Sequence, residues 1–131
     1  MTAPQLTRNQ SLVLDALARA EGPLSAYTIL DKLRDDGFRA PLQVYRALEK
    51  LLEFGLVHRL ESISAFVACA HPDEGGCTHG LTAFTICERC GRVTEFHDPV
   101  IEERLGAFAR DRSFTPGKTT IEIRGRCAGC A

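Results

Sequence analysis

Two cysteine pairs, Cys87-Glu-Arg-Cys90 and Cys127-Ala-Gly-Cys130, stand 36 residues apart in the last third of this 131-residue chain. Each pair can present two thiolates from one tight turn, and four thiolates suit a closed tetrahedral zinc site of the structural kind. A redox dithiol would need only one pair. The interval between the pairs exceeds that of a compact zinc ribbon, so a metal held by all four would pin the start of a C-terminal unit to its end. Such a staple answers a need, because a chain this short that divides in two leaves each part a thin apolar core.

The N-terminal half reads as three amphipathic helices and a hairpin. Thr7-Arg-Asn-Gln10 fits a capping box ahead of Val13, Leu14, Leu17 and Ala20, and Gly22-Pro23 stops that helix. Ser25 caps a second helix, with Ala26, Ile29, Leu30 and Leu33 on one face and Gly37 as its end. Pro41 suits the first turn of a third, whose apolar face is Val44, Ala47, Leu48 and Leu51, before Gly55. Gln43, Arg46, Glu49 and Lys50 then face outward. Strand-like runs at 56–60 and 65–69 flank Glu61-Ser-Ile-Ser64, completing a winged helix-turn-helix over residues 1–69.

Residues 70–81 lose periodicity and gather turn formers, so they read as a linker. Residues 82–131 read as a small α/β unit. Strands are expected at 82–86 and 92–96 around the first cysteine pair, and at 119–124 before the second. A helix capped by Asp98 and opened by Pro99 carries Ile101, Leu105 and Phe108 on one face. The expected fold class is α+β, a winged-helix domain followed by a dimerisation domain with a four-cysteine zinc site.

The net charge is −1, with 8 basic and 7 acidic residues over 1–60 and 8 and 10 over 61–131. Any grip on nucleic acid must therefore come from one local face and not from bulk charge. No apolar run approaches the roughly 18 residues of a membrane span, and no signal-peptide pattern opens the sequence, so a cytoplasmic protein with no membrane partner is expected.

A second set of metal-ligand types surrounds the linker: His58, Cys69, His71, Cys77, His79, Glu95 and His97. Two imidazoles, one thiolate and one carboxylate would leave a zinc site neutral overall, whereas four thiolates leave it at −2. Fewer protons are displaced on binding to the mixed set, which favours reversible occupancy. Solvated histidines and a small buried cysteine are the plainer reading of the same residues.

With the third helix, the wing and both cysteine pairs in view, the chain resembles the ferric uptake regulator family, and within it the zinc uptake regulators. Pro41-Leu-Gln-Val-Tyr-Arg-Ala-Leu48 is similar to the recognition helix, Gly55-Leu-Val-His-Arg-Leu-Glu-Ser62 to the wing, and Ile86-Cys-Glu-Arg-Cys-Gly91 to the zinc knuckle. The resemblance implies a bacterial, zinc-responsive repressor that binds double-stranded operator DNA as a homodimer and controls zinc uptake genes. It implies no small-molecule substrate. Two zinc ions per chain are expected, one structural at Cys87, Cys90, Cys127 and Cys130, and one regulatory at His58, Cys69, His79 and Glu95. Tyr27 and Arg46 are implied to touch bases, with Tyr45 nearby. Thr78-His79-Gly80 replaces the His-rich run of the family's iron sensors, which favours zinc. The rival readings are another sensor of the family, for iron, manganese, nickel or peroxide, and a zinc-dependent hydrolase. The resemblance assigns no role to Cys77, His71 or His97.

Overall fold

The computed structural model describes residues 5–69 and 81–131. The chain divides into two compact units, Met1–Thr78 and His79–Ala131.

In the first unit, helices α1 (Arg8–Arg19), α2 (Ala26–Lys32) and α3 (Pro41–Glu53) start where their caps require. Thr7 Oγ1 accepts the Gln10 N–H at 3.2 Å while Gln10 Oε1 accepts the Thr7 N–H at 3.0 Å, a reciprocal box that satisfies two end donors. Ser25 Oγ accepts from the Thr28 N–H at 3.1 Å. At α3 the residue before Pro41 is Ala40, which has no capping oxygen. Gln43, at the third helical position, supplies the other half of a capping box: its Oε1 accepts from the N–H groups of Arg39 at 2.7 Å and Ala40 at 3.0 Å, while its own N–H donates to Ala40 O at 3.1 Å.

The end of α3 is a Schellman turn. Gly55 N–H donates to Leu52 O at 3.1 Å and Leu56 N–H to Leu51 O at 3.0 Å, with Gly55 at φ +74°. This turn delivers the chain into the wing, strands β1 (Val57–Leu60) and β2 (Ala65–Ala68), paired antiparallel with Val57 opposite Ala68 and Leu60 opposite Ala65. A 3₁₀ turn at Glu61–Ile63 joins them, closed by Ser64 at φ +50°. The wing has a third member that the sequence does not announce. Leu24 exchanges both backbone hydrogen bonds with Phe66, at 3.0 and 2.8 Å. A single bridging residue after Gly22-Pro23 is too short to show alternation.

One apolar cluster joins Val13, Ile29, Leu30, Val44, Leu48, Leu51, Val57 and Phe66, all buried. Phe38, expected in a loop, is buried in the same cluster, since the turn after Gly37 points its ring inward.

The second unit is a three-stranded sheet in the order β4-β3-β5 with one helix. Strand β3 (Leu81–Cys87) pairs antiparallel with β4 (Val93–Phe96) and parallel with β5 (Thr119–Gly125). Leu81, expected as the last linker residue, instead opens β3 opposite Thr119; the rest of the expected linker, with His71, Cys77 and His79, lies outside the described residues. Helix α4 (Pro99–Asp111) is capped by Asp98, whose Oδ1 accepts from the Val100 N–H at 2.9 Å and the Ile101 N–H at 3.3 Å.

The apolar face expected of α4 exists but is not covered within its own unit. Ala109 is buried, while Phe108 is 56% exposed, and Phe114 beyond the helix is 66% exposed. Leu81, Leu105, Phe108, Phe114 and Pro116 line an open groove of about 550 Å³. One helix on three strands cannot close its own core at this length.

Gly55→Ala forces a Cβ into a left-handed backbone position, which costs roughly 1–2 kcal/mol. The expected outcome is a first unit with a lower urea midpoint at unchanged slope, read by circular dichroism.

Candidate metal centre and nucleic-acid face

The parallel register of β3 and β5 is what assembles the cysteine site. Cys87 lies opposite Gly125, and Glu88 N–H donates to Gly125 O at 2.8 Å, so the two turns leave adjacent strands side by side. The four Sγ atoms of Cys87, Cys90, Cys127 and Cys130 all lie within 4.8 Å of one another. Arms of about 2.3 Å give a tetrahedron with edges of about 3.8 Å. Cys90 Sγ and Cys127 Sγ stand 3.7 Å apart, which is that edge. The donor set and its spacing therefore fit zinc.

Each turn is shaped to hold anionic sulfur. Cys87 Sγ accepts from the backbone N–H of Cys90 and of Cys127, both at 3.4 Å, one donor from each turn. These backbone donors hold the Cys87 thiol down at about 5, against the desolvation that opposes them. Cys130 moves the other way, up to about 12, because the neighbouring Cys127 sulfur, burial and the other thiols favour its protonated form. Without metal, one sulfur is therefore a ready thiolate and the crowding of the others is relieved by keeping a proton. Gly91 at φ +79° makes the first knuckle turn possible.

Among the other expected ligands, His58 sits in β1 opposite Val67 and is 2% exposed. Its burial sets it apart from a solvated surface histidine. Cys69 follows β2, with its N–H donating to Leu56 O at 2.9 Å, and the ligand atoms of His58 and Cys69 lie within 4.8 Å of each other. Glu95 is half-buried on β4, opposite Phe84. His97, without a role in the sequence reading, lies 3.7 Å from Glu102 on the exposed start of α4.

The other functional face is on the first unit. Buried residues Val44, Ala47, Leu48 and Leu51 consume one side of α3, and Leu42, Tyr45 and Arg46 stand exposed on the other. Lys50 pairs with Glu53 at 3.3 Å, and among the described residues no ion pair engages Arg46. Tyr27, near the start of α2, is 64% exposed and so not a core-edge residue. The sequence reading missed Leu42, although its spacing from Tyr45 and Arg46 puts it on the same stripe.

Cys87→Ser removes the sulfur to which both turns donate. Zinc content of the purified protein should fall by one ion per chain, with a lowered melting midpoint of the second unit. In metal-free, reduced wild type the depressed Cys87 thiol makes stability rise with pH between about 5 and 9. Acidification through 5 abolishes that contribution, and the raised Cys130 thiol makes stability fall again between 9 and about 12. Denaturant titrations across that range check both signs.

Residues 3–124 match the ferric uptake regulator family. The zinc uptake regulation protein of Escherichia coli K12 is 39% identical over 127 residues, covering 96% of this chain and 72% of that protein. The ferric uptake regulation protein of Legionella pneumophila is 32% identical over 116 residues, covering 82% and 76%. Among solved structures, holo XcZur has a TM-score of 0.86 at 39% identity, covering 98% of this chain and 87% of that one. A zinc uptake regulator complexed with zinc and DNA has a TM-score of 0.88 at 36% identity, covering 95% and 82%. Matched over residues 3–124, the chain belongs to the ferric uptake regulator family.

Proposed function

We propose that this protein is a zinc-responsive transcriptional repressor that binds operator DNA as a homodimer and controls zinc uptake genes. The observation that carries the reading is the match, along 95% of the chain, to a zinc uptake regulator solved with zinc and DNA. It is joined by an exposed Tyr45–Arg46 face on a helix that would enter the major groove. The higher identity to the zinc regulator of E. coli than to the iron regulator of L. pneumophila favours zinc over iron.

Two metal sites per chain follow from the ligand chemistry. Cys87, Cys90, Cys127 and Cys130 would hold a permanent zinc, and His58, Cys69, His79 and Glu95 a regulatory one. When bound, zinc supplies four-coordinate geometry and charge, with no open position for a substrate. The family consists of transcription regulators, and a hydrolase would need such a position. Among the described residues no helix is long and apolar enough to cross a membrane.

The uncovered groove beside α4 is the surface on which a second copy would dock. A two-fold dimer would bury Leu105, Phe108 and Phe114 against the same residues of a partner subunit and place two reading helices on half-sites about 34–36 Å apart. Arg46 is suited to a bidentate contact with guanine, worth roughly 1–3 kcal/mol of discrimination, and Tyr27 to a base or phosphate contact. A coupling of roughly 1–3 kcal/mol between zinc and operator changes affinity about 5- to 150-fold, and operator must tighten zinc by the same factor.

Gel shifts against a selected operator, under reductant and with or without a chelator, test the reading: zinc-dependent retardation is expected, and retardation indifferent to metal overturns it. His58→Ala should keep the structural zinc and the fold yet lose the response of DNA binding to added zinc. Phe114→Asp should yield a monomer by light scattering, with operator affinity reduced at least tenfold.

A further inference from the structure

Leu42 is 56% exposed in the first turn of α3, and nothing in the first unit's core requires it. At roughly 100° per residue it lies opposite Leu51, which is fully buried, and in line with Tyr45 and Arg46. A single exposed leucine is ordinary on a protein surface. This one occupies the end of a helix-turn-helix reading helix whose first residues meet base edges. Its neighbour Gln43, the polar side chain best suited to read adenine there, has its carbonyl oxygen committed to the N–H groups of Arg39 and Ala40. The helix start therefore offers the groove an apolar surface where a polar reader is otherwise expected.

Resting on the regulator reading, we propose that Leu42 is a specificity-determining residue that packs against the 5-methyl group of a thymine in the major groove. The thymine methyl is the one apolar feature on a base-pair edge there. Arg46 and Tyr45 on the same stripe supply the polar and aromatic contacts that flank it. The stripe thus reads by one methyl contact and by hydrogen bonds, and Gln43 acts as a cap.

The test replaces thymines one at a time with uracil, which deletes only the methyl, in one half-site of an operator selected from random duplexes by the zinc-loaded, full-length dimer. Burial of one methyl corresponds to about fourfold in affinity. Wild type should lose about fourfold at one thymine per half-site. Leu42→Ala should bind the thymine duplex several-fold more weakly and lose the distinction between thymine and uracil at that position, while staying sensitive to guanine replacement elsewhere. Leu42→Met should retain the distinction. Because Leu42 is exposed, circular dichroism and zinc content of both variants should match wild type. Wild-type indifference to every uracil, or a Leu42→Ala protein that still prefers thymine by the same factor, overturns the inference. So does a loss of affinity in Leu42→Ala that is equal on both duplexes, which would show that the side chain does not read the methyl. A wild-type dimer that selects no duplex at all overturns the regulator reading itself, a distinguishable failure.

Discussion

The pairing of β3 with β5 in parallel is the constraint on which the second unit depends. Parallel neighbours cannot be joined by a tight turn, so the chain must travel through β4 and α4 before it returns. Closing so long a loop is entropically costly, and the strands gain little from a core that is open on one side. The cysteine turns lie at the same end of both strands, where Cys87 faces Gly125. A metal held there ties that loop at its mouth, and the backbone donors from Cys90 and Cys127 to one sulfur show that the turns are already aimed at a common anion. A metal at that mouth would thus stabilise the unit from one edge, and a cover over α4 would do so from the other.

That second edge explains why an apolar pattern can be read correctly and still end up in solvent. Ile101, Leu105 and Phe108 have helical spacing, and α4 forms as its caps and periodicity direct. Yet Leu105 and Phe108 line a groove, with the Arg112 guanidinium 4.0 Å above the Phe108 ring. The cation covers one ring face and keeps the patch compatible with water. Periodicity reports that a face must be buried, and it is silent about which chain buries it.

The elements legible in the sequence are those set by local chemistry. Thr7, Ser25, Asp98, Pro41 and Gly55 act where they stand, and the structure places helix ends at each. The two Cys-x-x-Cys turns were legible for the same reason. What escaped notice depends on long-range partners: the Leu24–Phe66 bridge, the burial of Phe38, and the strand position of Leu81. Ala40 carries no capping oxygen, and the start of α3 is marked instead by Pro41 and by Gln43, whose Oε1 accepts from the Ala40 N–H. His58 and Cys69 illustrate the limit in the metal-ligand set. Their types and order suggested a site, but only the β1–β2 register brings their ligand atoms within reach of each other, and His79 lies outside the described residues.

The near-neutral charge of the chain then bears on how such a reader discriminates. Affinity for duplex DNA in general comes mainly from phosphate neutralisation and counterion release, and a protein with net charge −1 has little of it to spread over non-operator sites. A weak background makes each base contact count for more of the total. Under those conditions a guanidinium such as Arg46 and a methyl-sized apolar contact at Leu42 would be a large share of the difference between operator and bulk DNA. A metal-dependent coupling of roughly 1–3 kcal/mol is then enough to move the protein between bound and free. A near-neutral chain and a mixed polar and apolar reading stripe would then work together with the metal: bulk charge adds little, so the placement of one local face would decide binding.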